Sequence, residues 1–378
     1  MTRLIVAAGG GGDAVAAATV DAALYGDGDR AVILTYAWDR LLIDPVPGPR
    51  GPDHFTGLEP ITPAVRAVPA DARPIAPAGS TLPRLAAELP HTFALIDPHH
   101  GAEGITRQLE ELVNHFAPES IDLLDVGGDI LARGDEPTLR SPLADALTLA
   151  ACCQVNASVR LLVAGPGLDG ELPPDDLRGL LGPLVRTLTA EDVEPIGSVL
   201  EWHPSDAAGM LAATARGVRG ACEVRAAGPP VPLTDEGPTL HEVDVDEAVG
   251  RNRLARAIME TESLDEVEAH SREIRGCSEI DHEREQAARL GEQTAWLGEQ
   301  TARLGEQPPA EPAPEAVLAE LDRFEAEARS RGATHTTFRH ITEALGLDGS
   351  QRDGLRHLLI SSRPEQYEAP LWRISAEA

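Results

Sequence analysis

The 378-residue chain carries 62 acidic against 32 basic residues, a formal charge of −30, and so opposes any general affinity for polyanions, which are held by basic stripes. Every base is an arginine, so lysine-anchored pyridoxal phosphate and a Walker-type phosphate loop are both excluded. No run approaches the ~20 apolar residues of a membrane span, and Cys152, Cys153, Cys222 and Cys277 lack both CxxC spacing and the density of a secreted scaffold. A cytoplasmic protein with reduced thiols is expected, with neither nucleic acid nor membrane as partner.

The chain opens with LIVAAGGGGDAVAAATVDAAL, a strand, a glycine turn and a helix. Such a turn lets backbone amides approach an anionic ligand, which makes Gly10, Gly11 and Asp13 candidate substrate-facing residues. The glycines run together instead of following GxGxxG, and Asp13 stands where that fingerprint has its last glycine. Its charge repels a pyrophosphate, so a tight turn that lets the first helix pack closely is the alternative. Further strands are expected at Ala31–Tyr36, Phe93–Ile96, Ile121–Val126, Val159–Ala164 and Ser198–Trp202. Helical patterns lie near Ala14–Tyr25, Leu82–Leu89, Ile105–Phe116, Pro142–Gln154, Asp175–Leu188 and Ser205–Arg216. Ser141 is read as a cap accepting from free amides, with Pro142 in the first helical position. This alternation predicts an α/β class, a doubly wound and mostly parallel Rossmann-like sheet over residues 1–225. Residues 44–83 are rich in proline and glycine and predict a lid, a binding loop or an unstructured stretch.

Residues 226–314 read as an acidic helical region and spacer, with Pro229 to Thr239 as a linker. The spacer contains the repeats ARLGEQT, AWLGEQT and ARLGEQP, beginning at Ala288, Ala295 and Ala302. Its stripe of Leu290, Leu297 and Leu304 is thin for a coiled coil, and each repeat has a glycine costing about 1 kcal/mol in a helix. Residues 315–378 predict a small helical module, and the C-terminal helices are the candidate surface for a homo-oligomer.

Chemistry is densest in IDLLDVGGDILARGDEPTLRSPLADA, residues 121–146. A buried strand runs into paired glycines, followed by acids and arginines beyond the needs of a turn. Close carboxylates repel by roughly 4 kcal/mol per pair at an effective dielectric of about 20, so a cation is expected to offset them. Asp125 and Asp129 are the candidate metal ligands for a hard divalent ion, magnesium or manganese. Arg133 and Arg140 are candidates for bidentate pairing with a substrate carboxylate or phosphate. After the third strand, DPHHGAEG presents Asp97 and His99; VAGPGLDGE presents Asp169; EWHPSD presents Glu201 and His203. In an open α/β sheet the C-terminal strand ends converge on one crevice, so Asp97, Asp125, Asp129, Asp169 and Glu201 are expected to share a pocket. Glu201 is then a substrate contact, and His99, Glu136 and His203 are the candidate catalytic proton carriers.

The run DVGGDILARGDEPTLRSPLADAL, the N-terminal glycine turn and the loop WDRLLIDPVPGPRG resemble the domain of unknown function 1152 family (DUF1152), over roughly Met1 to Arg225. The resemblance implies a Rossmann-like domain that is an enzyme or a ligand binder, and it carries no established reaction. Together these readings predict a metal-assisted hydrolase, lyase or cyclase acting on a small anionic metabolite. A nicotinamide-dependent oxidoreductase using Gly9 to Gly12 and a non-catalytic ligand-sensing or partner-binding protein are the alternatives.

Overall fold

The computed structural model describes residues 2–26, 28, 30–225, 228–290 and 313–374. Five short apolar segments, Leu4–Ala7, Val32–Thr35, Thr92–Leu95, Ile121–Val126 and Val159–Ala164, form the parallel heart of a nine-stranded sheet. Side by side they run 92–95, 32–35, 4–7, 121–126, 159–164, the Rossmann order, in which the chain winds outward from its first strand and then resumes on the other side. The first and fourth strands are held in register from Leu4 opposite Ile121 to Ala7 opposite Leu124. The Ala8 amide continues the pairing by donating to the Leu124 carbonyl at 2.8 Å.

These strands read as unbroken apolar runs because both faces of the sheet are covered. Ile5, Ala7, Ile33, Leu124 and Leu162 point to one face, where the helices Gly12–Tyr25 and Asp206–Ala215 pack. Leu4, Val6, Leu34, Leu123 and Leu161 point to the other, under Gly101–Phe116 and Pro142–Cys152. Successive strand side chains alternate between faces, so each strand feeds both cores.

The sheet continues beyond residue 225. Thr239–Val243 pairs antiparallel with Val159–Ala164, and Leu184–Thr187 pairs antiparallel on its outer side. At the opposite edge Arg66–Ala67 adds antiparallel to Thr92–Leu95, and Glu59–Pro60 follows. The proline- and glycine-rich stretch is therefore built from short strand pairs, and a buried Asp44–Arg50 ion pair at 3.0 Å ties its beginning. Of the alternatives for that stretch, an unstructured segment is ruled out.

Two expected elements are corrected. Ser198–Trp202 is helical within Gly197–Trp202, since Val199, Leu200 and Trp202 are buried while Glu201 faces out, a stripe and not an alternation. Asp175–Leu188 is helical only over Pro174–Leu177; Gly179 and the Gly182-Pro183 pair stop it, and the remainder forms the edge strand Leu184–Thr187.

A second, five-stranded sheet joins the C-terminal residues to this core. The strand His335–Thr336 lies parallel to Gly220–Glu223, which also pairs with Val231–Leu233 inside the expected linker. Leu371–Arg373 and Tyr367–Glu368 complete the sheet. A separate apolar cluster around Leu321, Phe338, Ile341, Leu359 and Trp372 packs beneath it. Leu297 and Leu304 of the repeat lie outside the described residues, while Leu290 is exposed. Among the described residues no helix is long and apolar enough to cross a membrane.

The turn after Ile121–Val126 is closely packed against the turn that follows Val159–Ala164. Gly127 has φ +118°, and a Cβ placed there would lie 2.5 Å from Asp169 Cβ. Gly127→Ala is expected to lower unfolding free energy by at least about 2 kcal/mol, from backbone strain plus overpacking. A urea titration followed by circular dichroism measures it.

Candidate functional site

The sheet changes winding direction between Leu4–Ala7 and Ile121–Val126, and the C-terminal ends of adjacent strands splay apart at such a point. Two chain segments leave it carrying carboxylates. The first is the glycine turn, where Gly11 takes the N-cap position and Asp13 sits in the first turn of the helix. Asp13 Oδ2 accepts from the Gly9 amide at 2.8 Å. The second segment ends in Asp125, whose Oδ2 accepts from the Gly128 amide at 2.7 Å. The helix Pro142–Cys152 points its N-terminus at the same place and supplies Asp145 from its first turn.

Asp13, Asp125 and Asp145 each offer an oxygen, and those oxygens lie within 4.8 Å of one another. Asp129 and Asp145 are within hydrogen-bonding reach of Asp125. Asp169 and Glu171, on the turn after Val159–Ala164, add further negative charge to the group. Asp125 is 1 % and Asp145 4 % exposed. Among the described residues no donor reaches Asp125 Oδ1, Asp145 Oδ1 or Asp169 Oδ2, although all three atoms are enclosed.

Burial is the chief cause of a uniform upward shift in pKa, which makes every member of the group a weaker acid. It pushes Asp125 up to about 6 against the hydrogen bonds it accepts. Asp13, Asp129, Asp145 and Asp169 are raised well above the ordinary carboxylate range, first by burial and then by one another's charge, with Glu171 the leading neighbour of Asp169. Glu279 is raised by burial and by Glu283. Like charges this close cannot all ionise in a dry site unless a cation joins them.

Backbone amides offset part of the charge. Glu171 accepts from the amides of Arg140 and Ser141 at 2.6 and 3.1 Å and from the Ser141 hydroxyl at 2.5 Å. The Leu143 amide donates to Glu279 at 3.1 Å. Ser141 is thus a donor to Glu171 and not the accepting cap expected; the carboxylates take over the free amides of the helix start, where the helix dipole also favours them.

Of the expected site residues, Asp125, Asp129, Asp169 and Asp13 come together, Gly10 and Gly11 precede Asp13 on the glycine turn, the Arg140 amide donates to Glu171 of the group, and the others lie elsewhere. Asp97 and His99 pair with each other at 2.8 Å, and His99 stacks on His54 with ring centroids 5.7 Å apart. Glu201 is exposed and lines a separate cleft of about 800 Å³ with Arg216 and Tyr367. The common pocket expected for Asp97 and Glu201 is therefore corrected: the 198–202 segment is not a strand, and Asp97 is turned aside by its own His99. Glu136 accepts from the amides of Arg133 and Gly134 at 2.8 and 3.0 Å and holds a turn. Arg133 is exposed and pairs with Asp135 at 3.0 Å. His203 is buried, with Nδ1 accepting from the Ser205 amide at 3.3 Å, so Nε2 carries the ring proton and is enclosed without an acceptor. Burial and then Arg352 lower His203 to about 3, which suits a neutral hydrogen-bond donor and not a proton carrier.

The space beside the glycine turn is largely taken by the chain itself. A Cβ on Gly10 would lie 2.8 Å from the Trp38 carbonyl oxygen, and one on Gly12 would collide with Ser205 Oγ. Close packing by neighbouring segments accounts for both glycines.

Asp145, Glu171 and Glu279 are the members that sequence reading did not place in the site. Asp145 had a usable signal. It is the lone acid in a helix buried on every side, PLADALTLAAC, where an ionisable group needs a reason. Glu279 had none, because its approach depends on a distant helix returning to residue 143.

The family whose model is described as "Protein of unknown function (DUF1152)" matches residues 4–287. No curated protein and no solved structure matches the chain.

An acid whose folded-state pKa is raised adds stability below its unfolded pKa, and that contribution is lost as pH rises through the folded value. For Asp125 the window runs from 3.8 to about 6, and Asp39, raised chiefly by burial, shares it. The metal-free protein is therefore expected to melt at higher temperature at pH 5.5 than at pH 7.5, and Asp125→Asn is expected to flatten that dependence. Differential scanning calorimetry across this range checks both outcomes.

Proposed function

The chain belongs to the DUF1152 family, and from the carboxylate group at its switch point we propose that it is an enzyme using a divalent cation, magnesium or manganese, to act on a small anionic metabolite. The supporting observation is the set of enclosed, unpartnered oxygens on Asp125 and Asp145 facing an oxygen of Asp13. Hard divalent ions take oxygen ligands of this kind. A cation also relieves the mutual repulsion that otherwise forces protons onto the group.

The donor set fits such an ion. Asp13, Asp125 and Asp145 would hold it, and Asp129, beside Asp125, would take up or give a proton at its carboxylate. When bound, the ion supplies Lewis-acid polarisation of a substrate oxygen or activates a water. The Gly9 and Gly128 amides fix Asp13 and Asp125, so two of the ligands are oriented before any ion arrives. Hydrolysis and elimination both need these parts, and the reading is of a hydrolase or lyase.

The test is calorimetric titration of manganese into the protein and into Asp125→Asn/Asp145→Asn. Saturable binding is expected in the first and at least about a hundredfold weaker binding in the second, two charged ligands being lost. Equal affinity in both would remove the metal and the reaction built on it.

A further inference from the structure

Asp13 and Asp125 are fixed by hydrogen bonds from the Gly9 and Gly128 amides, whereas no donor among the described residues reaches Asp145 Oδ1. The place of Asp145 is therefore set by the helix that carries it. That helix, Pro142–Cys152, has no side-chain cap from Ser141, and Pro142 brings no N–H to its first position. Its start is gripped from outside instead.

Glu171, on the turn after Val159–Ala164, accepts from the Arg140 and Ser141 amides at 2.6 and 3.1 Å and from the Ser141 hydroxyl at 2.5 Å. It is 5 % exposed, so water does not compete for these bonds. Three donors take most of the roughly four acceptor places of a carboxylate, which turns Glu171 toward the helix and away from any ion. Asp145 follows Ser141 by four residues, one helical turn further on. A shift of the helix start thus moves Asp145 with it.

The turn that supplies Glu171 is itself braced on three sides. The Glu171 amide donates to Asp169 Oδ1 at 3.0 Å, and the Gly167 amide donates at 2.6 Å to the carbonyl of Gly127, on the turn that follows Asp125. Arg225 Nη2 donates to the carbonyl oxygens of Asp169 and Gly170 at 2.9 and 3.0 Å. Arg339 of the C-terminal unit donates to the carbonyl of Val224, the residue before Arg225, at 2.6 Å. A continuous series of contacts runs from the C-terminal unit to the start of the helix.

We propose that Glu171 is the positioning residue of the carboxylate site: by gripping the start of the Pro142–Cys152 helix it places Asp145 as the third ligand of the divalent cation. The role rests on the proposed function for the ion itself, whereas the grip exists without one. Length and charge are separable at this position. Glu171→Asp keeps the charge on a side chain one methylene too short to reach all three donors. Glu171→Gln keeps the length, its carbonyl oxygen accepting from the two amides and its NH₂ donating to Ser141 Oγ, while the charge is lost.

Manganese is titrated by calorimetry into the full chain and both variants, at a temperature below the melting point of all three. Glu171→Asp is expected to weaken binding at least about tenfold, the scale for a residue that orients a metal ligand, and Glu171→Gln is expected to bind more tightly than Glu171→Asp. Hydrogen exchange with EDTA present is expected to quicken at the Arg140 and Ser141 amides in Glu171→Asp and to stay parental in Glu171→Gln. The reverse order of affinities would make Glu171 a charge and overturn the positioning role. A lowered melting temperature in Glu171→Asp with parental manganese affinity would make it structural only, which overturns the role and leaves the metal reading standing. Unchanged exchange in Glu171→Asp would overturn the grip. A parent that binds no manganese would remove the metal reading and, with it, the ligand that Glu171 positions.

Discussion

Burying negative charge beside negative charge is the constraint around which this structure is organised. Asp13 and Asp125 leave the first and fourth strands of the parallel sheet at the one place where neighbouring strands run on to opposite faces, and the Ala8–Leu124 hydrogen bond brings their segments level. Asp145 arrives on a helix buried from end to end. Each carboxylate raises the pKa of the next, and the backbone answers with amide donors from Gly9, Gly128, Arg140, Ser141 and Leu143. Those donors satisfy one side of the group. The oxygens turned inward accept nothing from the protein, an arrangement that folding alone would select against because an unpaired buried charge costs several kcal/mol, on the order of 3–5.

Much of the remaining molecule serves to hold that group still. The glycine turn packs against the Trp38 carbonyl and Ser205 so closely that side chains at Gly10 and Gly12 would displace them. Glu283, from the helical region after residue 278, accepts from the Trp38 indole at 3.0 Å and from the Gly48 amide at 2.7 Å, which ties the start of the 44–83 stretch to the core. The C-terminal unit is bound by buried arginines. Arg352 donates to the carbonyls of Trp202 and His203, and Arg339 reaches Asp206 and Val224. Arginine suits this work because its planar fork can satisfy several carbonyl and carboxylate oxygens at once. Its exclusive use here gives each of these junctions that geometry.

The parallel strands were legible as apolar runs because both sheet faces are covered, and Asp125 and Asp129 were legible because charge directly after such a run is unusual. Asp97 and Glu201 were read by the same logic and went elsewhere. For Asp97 the reason is local, a hydrogen bond to its own His99. For Glu201 it is a mistaken period: VLEW fits a strand as well as a helical stripe over so short a span. The antiparallel strands Leu184–Thr187 and Thr239–Val243 were hidden because antiparallel pairing is settled by partners more than 50 residues apart and leaves little trace in either segment.

Local pattern alone determined the class of this protein: alternating strand and helix, the glycine turn, the acidic segment after the fourth strand, and the chemistry that a chain without lysine cannot perform. Those features depend on neighbours within a few residues, and a sequence records them directly. The company each acid keeps was decided by the tertiary structure. Whether a carboxylate is solvated, paired or pressed against another depends on strand order, on where a helix begins and on which distant segment returns to it. Sequence spacing carries none of that information, and burial multiplies its energetic consequence.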